Sequence, residues 1–171
     1  MSEQAMKDSP LSPAAKTIFW ATFVAGTLDI LTALTLYGFV FSRVGAQRIL
    51  QSIASTLLGK AAFQGGVGAS LLGLGIHYCI ALTFVTLYFF SYPLFPFLKK
   101  NRVVSGLLFG LFVWMVMNMA VLPLIGYARF PSHWDSILKG ALILLFAIGL
   151  PTSFLISRYY AKPTLSPHAI H

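Results

Sequence analysis

Four long apolar runs constrain the fold of this chain more than any other feature of its sequence. The hydrocarbon core of a bilayer is about 30 Å thick, and a helix needs roughly 20 apolar residues to cross it. Each of the four runs reaches that length, although Asp29 interrupts the first and Asn118 the third. We therefore expect four transmembrane helices, at 17–41, 70–92, 103–124 and 137–157.

The composition excludes several classes of protein. Of the 171 residues, 57% are hydrophobic and only 9% are charged, whereas a soluble domain carries about 25% charged residues. An ordinary soluble enzyme, a disordered chain and a nucleic-acid-binding domain are therefore not expected. The net charge of +8 has a simpler origin than nucleic-acid binding, because the cations lie at the ends of the apolar runs, where Lys and Arg meet lipid headgroups.

A fifth helix is expected between the first two runs, at about 46–63. Ile49, Ile53 and Leu57 recur every four residues, and polar side chains fall mostly on the other side. This period is that of an amphipathic helix, which we expect to lie on the membrane surface. A re-entrant hairpin, or a helix that covers the mouth of a cavity, is the alternative.

The predicted fold class is therefore all-α: an integral membrane bundle of four transmembrane helices plus one interfacial amphipathic helix. A single membrane domain covers 17–161. Residues 1–16 and 162–171 are expected to be mobile tails.

Basic residues near the predicted helix ends are candidates for contact with lipid headgroups. These are Arg48, Lys60, Lys99, Lys100 and Arg102. With four spans, seven of the twelve Lys and Arg residues fall on the side of the two termini. Because cytoplasmic loops carry an excess of Lys and Arg, this predicts cytoplasmic termini, although the cations of the amphipathic helix favour the opposite orientation.

Three polar residues interrupt the apolar runs and form the predicted intramembrane cluster. They are Asp29, His77 and Asn118. An ionisable group at the bilayer centre costs roughly 2.5–3.5 kcal/mol on insertion scales. Under the four-span topology the three residues lie at neighbouring depths. We prefer the interpretation that they form interhelical hydrogen bonds; the alternative is a site that binds a proton, a cation or a polar headgroup.

Small residues recur at the spacing of closely packed membrane helices. One set is Gly106-x-x-x-Gly110, and a second set consists of Gly65, Ala69 and Gly73. Such faces allow two backbones to approach closely, either within one chain or between copies.

The sequence contains no recognisable catalytic or metal-binding pattern. The entire chain has four acidic residues, which leaves little material for acid–base chemistry. We expect no enzymatic activity, no cofactor and no metal. The loop at 123–136 provides one alternative, a lipid-acting membrane enzyme, because it combines Arg129, His133 and Asp135.

Four stretches carry a resemblance to a family. They are GTLDI (26–30), RILQSIASTLLGKAAFQGG (48–66), the pair at 77–78, and VMNMAVLPL (116–124). In these stretches the chain resembles small, uncharacterised bacterial inner-membrane proteins and, more distantly, the YagU-like proteins. The resemblance implies a four-span inner-membrane protein and brings no settled activity and no catalytic residues.

The function expected from the sequence is that of a non-enzymatic membrane protein with an accessory, structural or stress-related role. The main alternative is a small transporter or channel subunit in which Asp29 and His77 handle a proton or a cation. The expected partners are membrane lipids and either further copies of the chain or a larger membrane protein; nucleic acid is not among them.

Overall fold

The computed structural model describes residues 12–36, 38, 45–121, 123 and 134–161, and every secondary-structure element in that part of the chain is helical. The α-helices are α1 (Pro13–Thr35), α2 (Ala46–Leu58), α3 (Gly66–Leu94), α4 (Pro96–Lys100), α5 (Arg102–Val116), α6 (Trp134–Leu144) and α7 (Leu150–Ala161). A 3₁₀ helix at Gly59–Gln64 follows α2. A π-helical turn at Met117–Val121 extends α5, and another at Leu145–Gly149 joins α6 to α7.

Four helical segments are long and apolar enough to cross a membrane, as the sequence predicts. These candidate spans are Pro13–Thr35, Gly66–Leu94, Arg102–Val121 and Ile137–Ala161. Only 28–39% of the residues in the most apolar window of each span are buried inside the protein, so most residues of the spans are partly or fully exposed at the surface of the bundle. The described part of the chain is thus all-helical, and its four long apolar helices are typical of a multi-pass membrane protein.

The start of α1 differs from the expected start of the first span at residue 17. The side chain of Ser12 accepts a hydrogen bond from the amide of Ala15 (3.2 Å), and Pro13 occupies the first helical turn. Both features are typical of helix starts, so the helix includes 13–16, which the sequence alone places in the tail. The far end of this predicted run, 39–41, lies outside the described residues, as do the tails at 1–11 and 162–171.

The fourth span lies between α1 and α5 and contacts both. α1 also packs on α3. The largest cluster of buried apolar residues lies where α3, α5 and α7 meet, and includes Val85, Tyr88, Val113 and Ile156.

The π-helical turn in the fourth span ends two residues before Pro151. Proline lacks an N–H group and clashes with the carbonyl four residues earlier, so it disrupts the regular hydrogen bonding of an α-helix. The widened turn accommodates this residue, and its Gly149 lies directly against Gly106 of α5.

Helix α2 packs along the first half of α3. The side chain of Gln51 is buried and its amide donates to the carbonyl of Gly66 (3.1 Å). The apolar side chains of Leu57 and Leu58 are instead exposed, by 71% and 46%. The expected fifth helix is thus present as α2. Its contact with the bundle includes polar and small residues such as Gln51 and Gly73.

Candidate functional site

Asp29 of α1 and His77 of α3 face each other. The distance between Asp29 Oδ2 and His77 Nδ1 is 4.0 Å, and the two side chains are only 15% and 11% exposed. The other ring nitrogen of His77, Nε2, lies 2.9 Å from the carbonyl oxygen of Gly26. The structure thus brings together two of the three intramembrane polar residues that the sequence predicts.

The hydrogen bond to Gly26 determines which ring nitrogen of His77 carries a proton. A carbonyl oxygen only accepts, so the Nε2 atom of His77 must carry the proton. In a neutral ring Nδ1 is then an acceptor, and an ionised Asp29 would place its negative charge against that lone pair. One further proton, on the carboxyl group or on Nδ1, removes the conflict and leaves the pair with no net charge, which costs less in a low-dielectric environment than an isolated ion.

Neighbouring residues complete the contact between α1 and α3. The hydroxyl groups of Thr27 and Tyr78 are hydrogen-bonded at 2.7 Å. The ring of Tyr78 also stacks on Phe23 and lies so close to Gly26 that a Cβ atom there would be 3.0 Å from it. These residues were not among the predicted site residues, although Gly26 and Thr27 are in the first resembling stretch and Tyr78 follows His77.

Asn118 has a different kind of partner. Its side-chain amide donates to the carbonyl of Trp114 in the preceding turn of the same helix (2.9 Å). The bond lies at the junction of α5 with its π-helical extension, where the same carbonyl also accepts from the backbone amide of Met117. The sequence indicated the depth of Asn118 but not this partner, because spacing alone gives no side-chain direction.

A second polar contact joins three spans further along the bundle. The buried Tyr88 hydroxyl is hydrogen-bonded to Ser105 of α5 and donates to Ser153 of α7 (3.0 Å). The Ser153 hydroxyl in turn donates to the carbonyl of Arg102 (2.7 Å). Each hydroxyl has one proton to donate. Ser105 therefore donates to Tyr88, Tyr88 donates to Ser153, and Ser153 donates to the carbonyl of Arg102. No sequence signal marked these residues, because single serines and tyrosines are common in apolar helices.

The small residues lie at contacts within the chain. A Cβ atom at Gly110 would come within 2.5 Å of the Cα atom of Leu145, and one at Gly106 within 2.9 Å of the carbonyl of Gly149. On α3, Gly73 lies directly against the backbone of Leu50 in α2. Before α3 begins, a Cβ atom at Gly65 would be 2.8 Å from that of Ala69, which belongs to a small buried alanine cluster.

The five predicted headgroup cations lie at the two ends of the bundle. At one end, the guanidinium of Arg48 lies over the ring of Phe63 (5.1 Å), and Lys60 is exposed. At the other end, Lys99 donates to the carbonyl of Pro93 (3.1 Å), Lys100 is exposed, and Arg102 lies over the ring of Phe154 (5.7 Å).

The alternative lipid-acting site lies mostly outside the described residues. Arg129 and His133 lie outside the described residues, and only the backbone of Asp135 is described, at the start of α6. Within the described part of the chain, no group of three or more His, Cys, Asp or Glu side chains is arranged to hold a metal ion.

No protein-family model, no curated protein sequence and no solved structure matches this chain.

Proposed function

We propose that this chain is a non-enzymatic integral membrane protein with an accessory or structural role in the bacterial inner membrane. The observation that carries the proposal is the contact between Asp29, His77 and Gly26. In this contact, the ionisable side chains in the middle of two spans join α1 to α3. Residues that are held in this way stabilise a bundle and need no substrate to satisfy them.

Two further contacts of intramembrane polar groups support the same proposal. Thr27 pairs with Tyr78, and Asn118 bonds within its own helix. The glycines on α5 are covered by the fourth span. The polar and small residues that the sequence marks out are thus engaged inside one chain, as expected for a structural role.

The proposed placement in the membrane has the four candidate spans crossing the bilayer and both termini in the cytoplasm. Helix α2 then lies at the opposite surface as an amphipathic interfacial helix. Its exposed Leu57 and Leu58 would enter the acyl region, and Arg48 and Lys60 would meet the headgroups. The resemblance to small, uncharacterised bacterial inner-membrane proteins, and more distantly to the YagU-like proteins, implies four spans, as in this placement.

An accessory role predicts association with another membrane protein or with further copies of the chain. The test is affinity purification in a mild detergent, followed by measurement of the mass of the intact particle. A stoichiometric second protein or a homogeneous oligomer is the expected result. A particle with the mass of a single chain would contradict the accessory role.

The second candidate function is a small transporter or channel subunit, and the 4.0 Å approach of Asp29 to His77 favours it. A pair that holds one proton between two groups is able to release and recover it. This candidate predicts proton flux in liposomes that depends on pH and is lost in Asp29→Asn. The matched control is Asn118→Ser, which changes an intramembrane polar residue outside the pair. Equal flux in Asp29→Asn and the unaltered protein would exclude this candidate.

A further inference from the structure

Two cations from different helices line one cavity at the end of the bundle. Lys16 lies in the first turns of α1 and Arg158 in the last turn of α7. Because α1 and the fourth span run in opposite directions between the two ends, these positions come together. The cavity has a volume of about 350 Å³ and is lined by Lys16, Thr17, Trp20, Leu155, Arg158 and Tyr159.

No described carboxylate neutralises these two cations. Asp29 lies thirteen residues further along α1, which is about 20 Å, and it is paired with His77. Asp135 lies at the start of α6, at the opposite end of the bundle. Two like charges on one cavity wall repel each other, and an anion between them removes that repulsion.

The remaining walls of the cavity have the chemistry of a lipid interface. Trp20 is 57% exposed, and Leu155 and Tyr159 pack against the apolar core. Trp and Tyr are typical of the level at which headgroups meet acyl chains, and Arg binds phosphate in a bidentate manner that complements a lysine point charge. The cavity thus combines an anion site with an apolar wall along the same two helices.

We propose that this cavity binds an anionic phospholipid such as phosphatidylglycerol. The phosphate lies between Lys16 and Arg158, and an acyl chain runs along Trp20 and Leu155. A zwitterionic lipid is disfavoured because its cationic headgroup brings a third positive charge to a site that has no described carboxylate. Lipid binding at this cavity requires only that these helix ends lie at a membrane surface. It can therefore be tested independently of the proposed accessory role.

Trp20 itself reports on the site. In a full-length variant with Trp114→Phe and Trp134→Phe, Trp20 is the only remaining tryptophan, and lipids with brominated acyl chains quench its fluorescence on contact. The protein, in a mild detergent, is titrated with brominated phosphatidylglycerol and, separately, with brominated phosphatidylcholine. Each of the two cations favours an anionic headgroup. Half-quenching by phosphatidylglycerol is therefore expected at a concentration about thirty-fold lower than half-quenching by phosphatidylcholine.

A pair of charge-matched variants tests whether the preference belongs to this cavity. Lys16→Gln with Arg158→Gln is expected to bring the ratio of the two half-quenching concentrations close to one. Lys99→Gln with Lys100→Gln removes the same charge from predicted headgroup contacts at the same end of the bundle. These two lysines do not line the cavity, and Trp20 reports contact at the cavity, so the ratio is expected to be preserved. Lys16→Arg is expected to preserve it as well, and far-UV circular dichroism confirms that each variant is folded.

Two results would overturn the proposal. One is equal quenching by the two lipids, and the other is an equal loss of preference in both double variants, which would show a general effect of surface charge. If the two tryptophan substitutions prevent folding, native mass spectrometry of chains that keep all three tryptophans provides the same comparison, through the number of each lipid retained.

Discussion

Among single residues, Tyr88 has a hydroxyl group that connects three helices at one buried point. It is bonded to Ser105 and Ser153, which lie on α5 and α7. Low dielectric strengthens such bonds, and it also makes an unpaired partner costly. The same side chain contributes its ring to the apolar core next to Phe109, at a centroid distance of 4.4 Å.

We predict that Tyr88→Phe destabilises the folded protein by about 1–2 kcal/mol, because it leaves the ring in place but removes the two hydroxyl contacts. The matched control is Tyr92→Phe, one turn further along α3, where the ring is also buried. Unfolding of both variants by SDS titration in mixed micelles provides the comparison. Equal effects of the two substitutions would show that the Tyr88 hydroxyl contributes nothing specific.

The positions of individual polar residues show what the sequence predicts and what it leaves open. Hydropathy places Asp29 and His77 at similar depths, and the structure adds that they face each other. The rotation of each helix about its axis depends on packing with its neighbours, which a single apolar run does not encode. For this reason the partners of His77 and Asn118 were not predictable, nor was the convergence of Lys16 with Arg158.

Among the helices, glycine determines which pairs approach closely. On α5, Gly110 faces the backbone of Leu145 in the fourth span. On α3, a Cβ atom added at Gly75 would meet no described atom within 4 Å other than its chain neighbours and the nearby backbone of its own helix. Both glycines lie in apolar runs of the sequence, but a larger side chain is excluded at Gly110 and has space at Gly75.

Gly110→Ala is predicted to destabilise the bundle by about 1–3 kcal/mol, because the new methyl group meets backbone atoms that cannot rotate away. Gly75→Ala serves as its control and is expected to be neutral or to stabilise by up to about 1 kcal/mol, since alanine is the better helix former. The apparent melting temperature of each purified variant measures the difference. Similar losses in both variants would contradict the packing of α5 on the fourth span.

The helical elements were more predictable than their contacts. Four apolar runs and one short periodic segment correspond to four candidate spans and to α2. The observed helix ends differ from the predicted ends where a local cap determines the end, as Ser12 does at the start of α1. On α3 the contact uses Gly73, one of the small residues for which the sequence predicts close packing. The face that α2 contributes was not predictable, because it uses the buried amide of Gln51 rather than a row of large apolar side chains.

Across the bundle as a whole, the connections between the helices lie at two opposite ends. The segment at 59–64 lies at one end of the bundle, and the turn through α4 lies at the other. The length of α3, 29 residues between them, is enough to cross a bilayer. Under the proposed placement, Lys60 and Lys100 therefore lie on opposite sides of the membrane.

Cysteine labelling of intact cells tests this topology. In a Cys79→Ala background, which removes the one native cysteine, Lys60→Cys is expected to react with a membrane-impermeant maleimide. Lys100→Cys is expected to react only after the membrane is permeabilised. Labelling of both from outside would contradict the four-span arrangement, and the reverse pattern would contradict cytoplasmic termini.

The proposed structural role of Asp29 and His77 is tested by a double-mutant cycle on the two residues, measured as free energy of unfolding in mixed micelles. If the pair holds α1 against α3, Asp29→Ala and His77→Ala are non-additive, with a coupling of about 0.5–2 kcal/mol. His77→Ala combined with Tyr88→Phe, eleven residues away along α3, is the control and is expected to be additive. Additivity of Asp29→Ala with His77→Ala would contradict the claim that this pair joins the helices.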